Sequence, residues 1–72
     1  MIDPYERLAN AIVLQAVKDY RVALKMLAQH PYNKKALGEK EEVEIFFRSV
    51  WFSTLTNVDP EILIENLNAE VA

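Results

Sequence analysis

Between Pro4 and Pro31 the chain carries neither glycine nor proline, and the same holds from Glu39 to Asp59. The whole sequence contains one glycine, Gly38, and three prolines, Pro4, Pro31 and Pro60. Sheet proteins need turn residues every few positions. Punctuation this sparse suits a few helices and little else. The expected fold class is all-α, with three to four helices. A long N-terminal helix packs on an aromatic-rich middle helix and a short C-terminal helix.

A chain of 72 residues makes one domain, 1–72. Small domains bury a limited share of their surface and usually need a staple. There is no cysteine, so a disulfide or thiolate metal site is excluded, and one histidine excludes a multi-histidine site. No cofactor is expected. Helix packing and self-association remain, and 51% hydrophobic residues favour both.

Asp3-Pro4 reads as a helix start. Asp accepts bonds from first-turn N–H groups, and proline at the first helical position loses nothing. Pro31 ends that helix, because it pushes residue 30 away from α geometry. The first helix should therefore run about 25 residues, or about 37 Å. Tyr5, Leu8, Ala9, Ile12, Ala16, Tyr20, Ala23 and Leu27 recur at three and four residues, and Val13, Val17, Leu24 and Ala28 widen the stripe. Such a helix spans the molecule or reaches into a second copy. On the opposite face Arg7, Lys18, Arg21 and Lys25 share a narrow arc, with Leu14 inside it and Val22 near its edge. This basic stripe with embedded aliphatics is either a solvated face or a surface for an acidic partner.

His30-Pro31-Tyr32-Asn33 is a turn, with Asn33 as the cap of a second helix. Gly38 should weaken the early part of that helix and kink it. Glu39, Glu41, Glu42 and Glu44 then form an acidic run, the usual composition of a solvated face. The stretch "IFFRSVWF" occupies 45–52. In one unbroken helix, 41–56, its apolar groups would cover almost the whole circumference, which marks a central helix. Alternatively Ser49 caps a new short helix, 50–56, and the axis changes direction. The break is the favoured reading. Either way Phe46, Phe47, Val50, Trp51 and Phe52 need cover on more than one side, as core or as dimer contacts. Three helices from so short a chain do not supply all of it, so a homodimer is expected. Asp59-Pro60 repeats the N-terminal start and opens a last helix, 60–70, whose buried side is Ile62, Leu63, Ile64, Leu67 and Val71.

Nothing along the chain carries recognisable catalysis. His30 sits beside a proline in a turn, and Ser49 and Ser53 have no neighbouring base. Phosphate loop, nucleophile elbow and His-Glu-x-x-His are all lacking. The expectation is a non-enzyme. A net charge of −3 argues against general nucleic-acid binding. A helix-turn-helix made of 50–56 and 60–70 would present Asp59, Pro60, Glu61 and Ile62 to the bases, with no base-reading side chain before Asn66. Four cations on helix 1 could meet phosphates, but the acidic run competes for them. No apolar run approaches the roughly 18 residues of a membrane span, and the N-terminus lacks a basic leader. A cytoplasmic protein is expected, with no membrane partner.

"YERLANAIVLQAVKDYRVAL" together with "EIFFRSVWFSTLTNVDPEILIENL" resembles a family of small all-helical proteins from phage and prophage accessory regions of Gram-positive bacteria. The resemblance covers most of the chain. Its most specific pieces are residues 8–17 and Phe46-Phe47-Arg48-Ser49-x-Trp51-Phe52. It implies a bacterial host cytoplasm and a mobile-element origin, and it carries over no catalytic residue. "AQHPYNKKAL" echoes the linker of tetratricopeptide repeats, but no turn divides the helix before it, which rules that architecture out. The functional expectation is a protein-interaction module that binds a host or phage protein. The alternative is a nucleic-acid-associated accessory protein using the helix 1 stripe.

Overall fold

A computed structural model describes residues 11–71. Four helices fill them: α1 (Ala11–Gln29), α2 (Lys34–Phe47), α3 (Val50–Leu55) and α4 (Pro60–Glu70). No strand occurs among the described residues, and no helix there is long and apolar enough to cross a membrane. The Asp3-Pro4 start and residues Tyr5, Leu8 and Ala9 lie outside the described residues.

α1 ends where proline dictates, and its last turn closes through the His30 N–H donating to the Met26 carbonyl at 2.7 Å. The Asn33 side chain then caps α2 by accepting from the Ala36 N–H at 2.9 Å. α2 folds back along α1 as an antiparallel partner. Val22 and Met26 of α1 lie beside Asn33, Ala36 and Glu39, while Ile12, Ala16 and Asp19 lie beside Val43 and Phe46. Gly38 does not interrupt the element or weaken its early part, contrary to expectation. α2 is continuous across it, because the cap before it and the packing of Ala36, Val43 and Phe47 fix the helix on both sides.

The stretch 45–52 does break at Ser49. The Ser49 hydroxyl donates to the Phe46 carbonyl at 2.6 Å, closing α2. The same oxygen accepts from the Phe52 N–H at 3.2 Å, opening α3. One side chain thus satisfies an orphan carbonyl and an orphan amide, and the axis turns between them. The turn lets Phe47 and Phe52, five residues apart, face the same core at 0% and 1% exposure. Their ring centroids are 5.3 Å apart, and Tyr20 meets Phe47 edge-on at 5.6 Å. Phe46, half-buried, stands edge-on to Phe52 at 5.7 Å. Such geometries add to the burial term.

Asp59 caps α4 by accepting from the Glu61 and Ile62 N–H groups, with Pro60 in the first turn. Leu63, Ile64 and Leu67 of α4 join Val13, Ala16, Val17, Tyr20 and Leu24 of α1 in the core. Ile62, expected inside, is 56% exposed. The buried side of α4 centres between Leu63 and Ile64, and at 3.6 residues per turn Ile62 projects away from it. Ile12 and Ala28 likewise fall outside the buried stripe of α1.

Candidate protein-binding surface

The basic stripe expected on α1 is divided between two environments. Lys18 and Lys25 are exposed, and Val22 is 61% exposed on the same outward face. Arg21 is half-buried and serves the fold: its Nε and Nη2 donate to the two carboxylate oxygens of Glu70 at 2.9 and 3.0 Å. Leu14, half-buried, lies on the same flank of the helix. Arg7 lies outside the described residues. Among the described residues the stripe thus keeps Lys18 and Lys25 exposed, while Arg21 is paired with Glu70.

The acidic run is also divided. Glu41 and Glu42 face solvent, as expected of a solvated face. Glu44 does not. The Tyr20 hydroxyl donates to its Oε2 at 2.5 Å, and Lys40 and Arg48 flank it one turn away on either side. Burial raises the Glu44 carboxyl, but the bonds from Lys40 and Tyr20 and the nearby Arg48 charge outweigh it, so its pKa lies below the ordinary value. The same site pushes Tyr20 up to about 12, through burial first and the Glu44 bond second. The Asn68 Nδ2 group of α4 donates to the Tyr20 hydroxyl at 2.9 Å, so this polar cluster ties three helices together. Arg48 adds a fork onto Glu61 of α4 at 2.7 and 3.0 Å. These groups hold the fold and are committed to one another.

Of the aromatic-stretch residues, Phe47 and Phe52 are core and Phe46 packs against it. Val50 and Trp51 face outward, at 80% and 59% exposure. Ile45, on the outer side of α2, is 70% exposed.

Two concavities flank this arrangement. One, of about 500 Å³, lies along α3 and the loop to α4. Of its polar side chains, Arg48, Ser49, Ser53, Thr56 and Asp59 already bond within the chain, and Asn57 also lines it. The other, of about 460 Å³, runs between α1 and the C-terminal half of α2. Ile12, Ala16, Val43 and Phe46 make its apolar lining, and Gln15, Asp19 and Glu42 its polar rim. Among the described residues no cation lines it. Sequence reasoning gave Asp19, Gln15 and Val43 no role in a site. Each is ordinary in its own helix, and the groove exists only where the two helix edges meet.

Among the described residues no group of three potential ligands is placed to hold a metal ion. No family model, curated protein or solved structure matches this chain.

Proposed function

We propose that this protein is a non-enzymatic interaction module that acts by binding another protein in a bacterial cytoplasm, and that its own state is a homodimer. The phage or mobile-element setting rests on the resemblance carried by residues 8–17 and 46–52. One observation carries the reading. Within the single stretch 45–52, Phe47 and Phe52 are fully enclosed, yet Ile45, Val50 and Trp51 stay more than half exposed. Ile45 sits on α2 about 160° from Phe47 at 3.6 residues per turn, and the new helix that Ser49 starts buries Phe52 while leaving Val50 and Trp51 outward. A large aromatic held outward on a capped helix is the residue type that anchors protein interfaces. Of the four helix 1 cations that the nucleic-acid alternative would use, Arg21 is forked onto Glu70, which favours the protein-binding reading.

The test pairs light scattering with capture from a host lysate. At about 100 µM the wild-type chain is expected at twice its formula mass, a concentration that reveals any dimer with Kd tighter than that. Trp51→Glu is expected to melt cooperatively but to run as a monomer and to lose the captured protein. A wild-type chain that stays strictly monomeric removes the homodimer. A Trp51→Glu chain that still captures the same protein removes the assigned surface.

A further inference from the structure

α4 covers one side of the α1–α2 pair, and the 460 Å³ groove lies on another. On α1, Arg21 meets α4, whereas Asp19 lines the groove. These two positions point about 160° apart at 3.6 residues per turn. The groove is thus a seam between two antiparallel helices that the chain's own fourth helix does not use. Its floor is apolar, with Ala16 small enough to let a neighbour come close, and Val43 and Phe46 rising on the α2 wall. A carboxylate stands on each wall, Asp19 on α1 and Glu42 on α2, both exposed.

Resting on the reading of this protein as an interaction module, we infer that this groove takes an amphipathic helix whose apolar stripe is flanked on both sides by lysine or arginine. Packing ridges of a third helix into a two-helix seam is the ordinary way to cover such a surface. The charge pattern selects the class of helix. An apolar stripe fills the floor, and flanking cations meet Asp19 on one wall and Glu42 on the other. A stripe flanked by carboxylates meets two like charges and, among the described residues, no compensating cation in the lining. This partner contacts the groove and not the outward Trp51.

Two synthetic peptides of roughly 16 residues, about four turns each, test the inference on the full-length chain. Both carry the same leucine stripe; one flanks it with lysine, the other with glutamate. Amide chemical shifts are followed during titration at low salt, where screening is weakest. The lysine-flanked peptide is expected to move Gln15, Asp19, Glu42, Val43 and Phe46, and to bind about ten-fold tighter than its twin, a modest effect for complementary charge. The double variant Asp19→Lys, Glu42→Lys alters only exposed rim groups and is expected to reverse the preference. Equal binding of both peptides, or an unreversed preference, overturns the charge assignment and with it the proposal. So does a lack of shift at these residues, whether the chain's own first ten residues or a second copy covers them. Shifts confined to Val50 and Trp51 overturn the groove while leaving the interaction-module reading intact. The groove failing and Trp51→Glu also keeping its captured protein would overturn both.

Discussion

Tyr20 shows how one hydroxyl can organise a small core. Its ring is fully buried against Phe47, and its oxygen donates to Glu44 and accepts from Asn68. Removing that oxygen leaves a carboxylate and an amide each short of a partner, so Tyr20→Phe should cost about 1–3 kcal/mol at neutral pH. The pH dependence carries a separate signature. The hydroxyl titrates ordinarily at 10.0 and here at about 12, so folding disfavours the ionised form. Stability from this source is full below pH 10 and is lost as pH rises through about 12, a fall of about 3 kcal/mol. Urea titrations at pH 8, 10 and 12 should show the gap between wild type and Tyr20→Phe closing in the alkaline range; a constant gap would refute the linkage. Trp51 and Phe52 offer the opposite contrast. They are neighbours in sequence, yet Phe52 is 1% exposed and Trp51 59%. Phe52→Ala should cost about 3–5 kcal/mol as a core truncation. Trp51→Ala should cost under about 1 kcal/mol in a chain held monomeric by dilution, since surface changes away from such contacts are small. Equal costs would mean that Trp51 is covered within one protomer.

The elements were legible in the sequence wherever a short-range signal set their ends. Asn33, Ser49 and Asp59 all cap helices, each by accepting from an amide two or three residues ahead. That interaction depends on local spacing alone, so residue type and position sufficed to find it. Pro31 and Pro60 act through fixed backbone chemistry and were legible for the same reason. Gly38 was misread because its cost is only a bias. A glycine inside a helix destabilises by about 0.5–1 kcal/mol, and packing on either side overrides it. A Cβ added at Gly38 would meet nothing within 4 Å. Gly38→Ala should therefore stabilise the protein by about 0.5–1 kcal/mol, read as a raised urea midpoint with an unchanged slope. A destabilised variant would show that α2 needs the glycine's freedom, contrary to the continuous helix seen here. The register of α4 was legible except at Ile62, where a run of three apolar residues hides which of them the helix turns inward.

At the scale of the whole molecule the candidate groove was illegible, because it belongs to no single element. Asp19 and Glu42 lie on different helices, and periodicity within either one says nothing about what its edge will meet. The docking of α4 raises the same problem with a sharper answer, because two kinds of contact compete to explain it. Two forked ion pairs join α4 to the rest, Arg21–Glu70 and Arg48–Glu61, and the side chains of Glu70 and Glu61 are 42% and 64% exposed. Three apolar side chains, Leu63, Ile64 and Leu67, are 0%, 9% and 0% exposed in the same core. Exposed pairs spend much of their attraction on ordering two long side chains and are screened by salt. Buried leucines keep their whole contribution in any buffer. The apolar contacts should therefore dominate. A chain of 72 residues has about 4–11 kcal/mol of total stability on the usual scale. Leu67→Ala should remove about 2–5 kcal/mol of it, enough to leave the fold marginal. The double variant Glu61→Gln, Glu70→Gln should shift the urea midpoint only slightly, and raising salt to about 1 M should do no more to the wild type. If the charge variant unfolds as readily as Leu67→Ala, α4 is held by its rim and the core assignment fails. If Leu67→Ala instead melts in two steps while the charge variant melts in one, α4 detaches on its own, and the remaining helices form a separately folding unit.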